Sequence, residues 1–162
     1  MALTVEDGTV VADADSYVSL ADARAFATSR GFSLPLDDTE AEALLLRASD
    51  YLNGLEYVGT RYSAEQTLKW PRQYVYIDGF ELDENTIPAQ LWQAQVLSAV
   101  DLALGADPLA PSTDGRAIKR RKVDVIEVEY EAGIPGQLPV AVQRRVRHML
   151  RGLLNTSYTV SR

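Results

Sequence analysis

From Leu91 to Leu104 the chain places apolar side chains around nearly the whole circumference of a helix: Leu91, Trp92, Val96, Leu97, Ala99, Val100, Ala103 and Leu104. Pro88 suits the first helical position, where the missing N–H is not needed, and Gly105 is a natural stop. A helix that is apolar on almost every side cannot lie on a surface, so other elements must surround it. The expected fold is therefore mainly α, a small helical bundle around a central buried helix at about 88–104.

The surrounding helices show one apolar face each. Ser19 and Asp22 form a capping box before Leu20, Ala23 and Ala27, which predicts a short helix over about 19–30, stopped at Gly31. Thr39 and Glu42 form a second box before Leu44, Leu45, Ala48, Leu52 and Leu55, predicting a helix that ends near Gly54 or Gly59. Ser63 and Gln66 suggest one more helical turn. Pro139 opens a last helix, running to Leu154, with Val142, Val146, Met149, Leu150 and Leu153 on one stripe. Arg144, Arg145, Arg147, His148 and Arg151 occupy the rest of it, and residues 155–162 read as a polar tail.

Between these lie less regular segments. Residues 67–83 hold Trp70-Pro71-Arg72, then Tyr74, Val75, Tyr76 and Ile77, closed by the turn signal Asp78-Gly79. Pro71 biases Trp70 away from helix. An ordered aromatic loop with a short strand follows, and Trp70, Pro71 and Arg72 are its structural anchor. A cation–π contact of Lys69 or Arg72 with the indole is the other reading, but a large apolar side chain plugging the core is favoured. Residues 107–115 read as a loop. Over 117–131 the alternation changes phase between Val125 and Ile126, which predicts a small β-hairpin with Lys119, Arg120, Arg121 and Lys122 on its first arm. The 162 residues are expected to form one domain, divided into an acidic helical body (1–115), a hairpin (116–134) and a basic C-terminal helix with its tail (135–162).

Charge follows that division. Residues 1–115 carry 6 Lys/Arg against 19 Asp/Glu, a net of −13, whereas residues 116–162 carry 10 against 4, a net of +6. Opposite ends of such a chain attract different partners, and the basic end suits either a nucleic acid or an acidic protein surface. With 0 cysteines, disulfides, thiolate metal sites and a cysteine nucleophile are excluded. No apolar run approaches the ~18 residues of a membrane helix, and the N-terminus lacks a basic leader, so a soluble, unexported protein is expected.

Catalytic signatures are missing. There is no phosphate loop, no dinucleotide fingerprint and no nucleophile elbow. The 1 histidine, His148, sits among arginines that disfavour its protonated form, which suits a surface or interface side chain better than an acid–base catalyst. Asp13 with Asp15, and Asp37 with Asp38, could hold a cation weakly, but helix capping and solvation explain them more simply. No enzyme activity, metal or cofactor is expected. Lys119 to Lys122 could contact phosphates, yet Tyr130 and Tyr158 are the only aromatics after residue 115, which argues against stacking on single-stranded bases.

Several segments stand in a recognisable order: Asp15-Ser16-Tyr17-Val18-Ser19-Leu20-Ala21-Asp22-Ala23; a Leu-rich helix ending Ala48-Ser49-Asp50-Tyr51-Leu52; Leu68-Lys69-Trp70-Pro71-Arg72; Ile87-Pro88-Ala89-Gln90-Leu91-Trp92-Gln93-Ala94-Gln95; and Lys122-Val123 with Val128-Glu129-Tyr130. In this the chain resembles the small head-to-tail adaptor, or head-completion, proteins of tailed bacteriophages. Similar sequences are also labelled DnaT-like single-stranded DNA-binding proteins.

The resemblance implies a mostly helical, non-catalytic virion protein that assembles as a ring, commonly a dodecamer, beneath the portal protein. Such a ring extends the channel for double-stranded DNA and offers a platform to later neck or tail proteins. It would reside in the head–tail neck, and in the host cytoplasm during assembly. Joined to the charge pattern, this leads to an acidic body around the channel that lets DNA slide without sequence-specific binding. Arg144, Arg145, Arg147 and Arg151 are then expected to dock on the portal. The alternative is a single-stranded DNA-binding replication accessory protein using the basic C-terminal region.

Overall fold

The computed structural model describes residues 2–105, 121–123, 126–128 and 140–155. The first helix, α1, spans Leu20–Ser29 and starts as predicted. The Ser19 hydroxyl accepts the Asp22 N–H at 3.1 Å and donates to the Asp22 carboxylate at 2.6 Å. The second helix, α2 (Asp38–Asn53), starts earlier than the Thr39 box suggests. Its cap is Asp37, whose carboxylate accepts the Glu40 N–H at 2.8 Å. Aspartate caps at least as well as threonine and adds a negative charge at the positive helix end, so it takes the position.

The expected helical turn at 63–66 is absent. The Gln66 side chain accepts the Ser63 N–H at 2.9 Å, and the Ser63 hydroxyl accepts the Glu65 N–H at 3.2 Å. These side chains satisfy the amides in a bent conformation, which removes the need for a helix. Strand β1 (Thr60–Arg61) instead pairs antiparallel with β2 (Arg72–Gln73). A tight hairpin follows, from β3 (Tyr76–Ile77) and β4 (Phe80–Glu81). Its two turn residues, Asp78 and Gly79, both have positive φ (52° and 87°), the geometry that matches the twist of the flanking strands.

Helix α3 (Ala89–Ala103) is the central element, with Pro88 at its cap position rather than inside its first turn. Strands β5 (Arg121–Val123) and β6 (Ile126–Val128) pair antiparallel, within the span predicted for the hairpin. Helix α4 covers Val140–Met149, shorter than predicted. After it, the chain turns at Gly152 and runs beside residues 56–58. There the Val58 N–H donates to Leu153 O and the Asn155 N–H to Glu56 O, each at 2.9 Å. Pairing with an extended neighbour thus satisfies the backbone that another helical turn would have used.

Two apolar clusters flank α3. Leu91 and Ala94 meet Leu52, Trp70, Val75, Val146, Leu150 and Leu153 on one side. Val96, Ala99 and Val100 meet Ala23, Ala27, Ala41, Leu45 and Ala48 on the other. Helices α1, α2 and α4 all pack on α3, and each fully buried Leu or Val contributes roughly 1.5–3 kcal/mol. Among the described residues no helix is long and apolar enough to cross a membrane.

The N-terminal segment is clasped by a buried carboxylate. Glu6 accepts the N–H groups of Gly8, Val10 and Val11 at 2.8–3.0 Å. Gly8 (φ 106°) lies so close to Asn85 that a Cβ would sit 1.8 Å from its carbonyl oxygen, so only glycine closes this contact.

Candidate functional site

The segments with the most distinctive sequence meet in one buried polar network. The Gln95 side chain, fully buried on α3, accepts the Tyr17 N–H at 2.9 Å and donates to Ser16 Oγ and Leu45 O. The Tyr17 hydroxyl donates to Asn53 at 3.2 Å and accepts the Trp70 N–H at 3.3 Å, while Asn53 also accepts the Lys69 N–H. Burial pushes the Tyr17 phenol well above its ordinary value. One network therefore joins the N-terminal segment, α2, α3 and the 67–73 loop.

Trp70 and Pro71 are buried, with the indole edge-on to Tyr57 at 5.8 Å. Arg72 is only 8% exposed, and its guanidinium donates to four carbonyls, those of Tyr57, Val58, Gly59 and Lys69. Burial lowers its pKa, opposed by Glu56. Lys69 reaches Glu56 at 4.0 Å. The two cations beside the indole thus engage carbonyls and a carboxylate.

The predicted basic residues separate. Arg145 forms an ion pair with the mostly buried Asp101 of α3, and its guanidinium lies 5.2 Å from the Phe32 ring centre. It ties α4 to the bundle. Arg147 and Arg151 are exposed, and Arg144 lies within α4. Arg121 and Lys122 lie on β5, in register with Val128 and Glu127 of β6. Lys119 and Arg120 lie outside the described residues. The acidic pairs are occupied too: Asp15 accepts the Thr4 N–H, Asp37 caps α2 and Asp38 pairs with Arg24 at 2.6 Å.

Arg147, His148 and Arg151 line a cleft of about 1150 Å³ between the end of α4 and the β3–β4 hairpin. Tyr76 and Gln90 line it as well, with apolar surface from Val58, Ile77, Met149 and Leu154. Sequence reading missed Tyr76 and Gln90, because 71 positions separate Tyr76 from Arg147 and nothing local marks their meeting. A second hollow, of about 580 Å³, is apolar and lies between α1 and Trp92, lined by Val5, Val18 and Phe26.

Residues 1–162 match the family described as "Putative DnaT-like ssDNA binding protein". The chain belongs to this family. No curated protein and no solved structure matched it. In this DnaT-like chain the cations of the cleft come from the end of α4 and the turn after it, and Tyr76 comes from the β3–β4 hairpin.

Proposed function

We propose that this DnaT-like chain is a non-catalytic virion protein, a ring-forming head-to-tail adaptor of a tailed bacteriophage. One observation carries the reading. Of the side chains that make the sequence distinctive, Ser16, Tyr17, Arg72 and Gln95 are buried and bonded to the backbone of the fold itself, and the Trp70 indole is buried with them. A chain that invests its unusual residues in holding its shape suits a part whose function is its shape. The resemblance to adaptor sequences over residues 15–132 adds the assembly. The ring sits under the portal in the neck, extends the DNA channel and carries the next neck or tail protein. The acidic body surrounds double-stranded DNA without holding it, since like charge keeps the duplex off the wall. The basic end, through Arg147 and Arg151 with Arg144, meets carboxylates of the portal.

Electron microscopy of the purified protein with its portal tests this. Rings stacked on the portal are expected, and Arg147→Glu with Arg151→Glu should abolish the stacking. A chain that stays apart from every portal of its own virus would sink the proposal.

The family description favours a second reading, a single-stranded DNA-binding accessory protein. The position of Tyr76 beside Arg147 and Arg151 supports it, because a ring next to cations is how single strands are commonly held. That reading predicts submicromolar oligo(dT) binding that falls steeply with salt. The adaptor reading predicts little binding at moderate salt.

A further inference from the structure

We propose that the cleft between α4 and the β3–β4 hairpin is a docking site for an acidic segment of a partner protein, anchored by one apolar side chain. The inference rests on the docking half of the adaptor reading and gives that contact a place and a chemistry.

The charge of the lining points to an acidic occupant. Arg147 stands in the last turn of α4 and Arg151 in the turn that follows it, and both line the cleft. Both are exposed, and neither forms an ion pair among the described residues. His148 lies between them in sequence, and among the described residues Asp78 is the one carboxylate in the lining. Exposed arginines without a partner offer planar forks for carboxylates.

Apolar surface in the same cleft asks for more than charge. Val58, Ile77, Met149 and Leu154 are each only partly buried there, so an incoming apolar side chain would complete their burial. Tyr76 stands at the same place, 57% exposed, and the negative charge of Glu81 beside it raises its pKa. Gln90, at the start of α3, supplies an amide able both to donate to and accept from a peptide backbone. At about 1150 Å³ the space exceeds that of most small-molecule sites, which suits several residues of a chain.

Neighbouring charge favours peptide over polynucleotide. The hairpin and the turn after it carry Asp78, Glu81, Asp83 and Glu84, and no cation lies between Gln73 and Pro88. A strand with a phosphate at every nucleotide would have to pass these carboxylates, with one aromatic ring among the described lining residues to stack on. A short acidic segment needs to meet only the arginines.

Fluorescence anisotropy on the full chain tests the proposal. The probes are a fluorescein-labelled peptide of Asp and Glu with one central Phe, the same peptide with Ser in place of Phe, and labelled oligo(dT). The Phe peptide should bind best. Arg147→Ala and Arg151→Ala should each weaken it by about 5-fold, and Tyr76→Ala should weaken the Phe peptide more than the Ser peptide. Arg151→Lys keeps charge without the fork and should fall between wild type and alanine. Circular dichroism melts keep the comparison to folded variants.

Equal binding of the Phe and Ser peptides, or no loss in the arginine variants, overturns the proposal. Tighter binding of oligo(dT), lost in the same variants, assigns the cleft to nucleic acid instead. If sedimentation shows that Arg147→Ala and Arg151→Ala dissolve an oligomer, a second copy is the occupant and the proposal falls. A chain that stacks on its portal but ignores the peptide loses only this inference, whereas peptide binding without portal stacking removes the adaptor reading and leaves the cleft.

Discussion

Arg72 shows how one side chain can hold a loop. Its guanidinium joins carbonyls of residues 57–59 to that of Lys69, so its loss leaves several half-buried acceptors unpaired. Arg72→Lys keeps the charge but not the fork. Urea unfolding should show it less stable by about 2–3 kcal/mol, with Arg72→Ala at least as costly. Tyr17 and Tyr57 provide a second prediction. Burial raises both phenols above the ordinary value of 10.0, so the native state holds their protons more tightly than the unfolded chain does. Their stabilising effect is complete below about pH 10 and is lost as pH rises, because the unfolded chain releases those protons first. Unfolding free energy should therefore fall above about pH 10, with a slope approaching 1.4 kcal/mol per pH unit for each tyrosine. Tyr57→Phe should remove one share of that slope.

At the scale of elements, periodicity and caps located all the helices among the described residues, because burial of an apolar stripe and satisfaction of end amides are local demands. Choosing between neighbouring caps was harder. Thr39 and Asp37 both suit an N-cap, and the structure uses Asp37. Asp37→Ala should thus cost about 1 kcal/mol in thermal or urea unfolding, while Thr39→Ala should change little. The end of α4 was not legible, since nothing near Leu150 announces that residues 153–155 will pair with 56–58. The Ser63–Gln66 turn failed for a related reason. Both residues suit a helix start, but their side chains bond to nearby amides in a bent chain at lower conformational cost.

For the whole molecule, charge and packing act together. Residues 2–105 hold 17 Asp/Glu against 6 Lys/Arg, so the body repels itself at low ionic strength. Raising salt to roughly 0.3 M should increase the melting temperature by about 2–4 °C, as seen by circular dichroism, and a fall would show that local ion pairs outweigh the repulsion. Part of the opposing charge is already spent internally: the Arg145–Asp101 pair fastens the basic helix to α3. Of the arginines expected to dock, the structure therefore assigns Arg145 to the fold and leaves Arg147 and Arg151 exposed beside Tyr76. By itself the sequence determined the central helix, its amphipathic partners, the start of α1 and the division of charge, because these depend on spacing along the chain and on composition. Only the tertiary structure decided which arginine pairs with Asp101, how Gln95, Tyr17 and Asn53 join, and that a hairpin tyrosine lines the same cleft as the end of α4. Those outcomes depend on which distant segments pack together, and packing is selected by shape and by the pairing of buried polar groups, neither of which leaves a periodic trace.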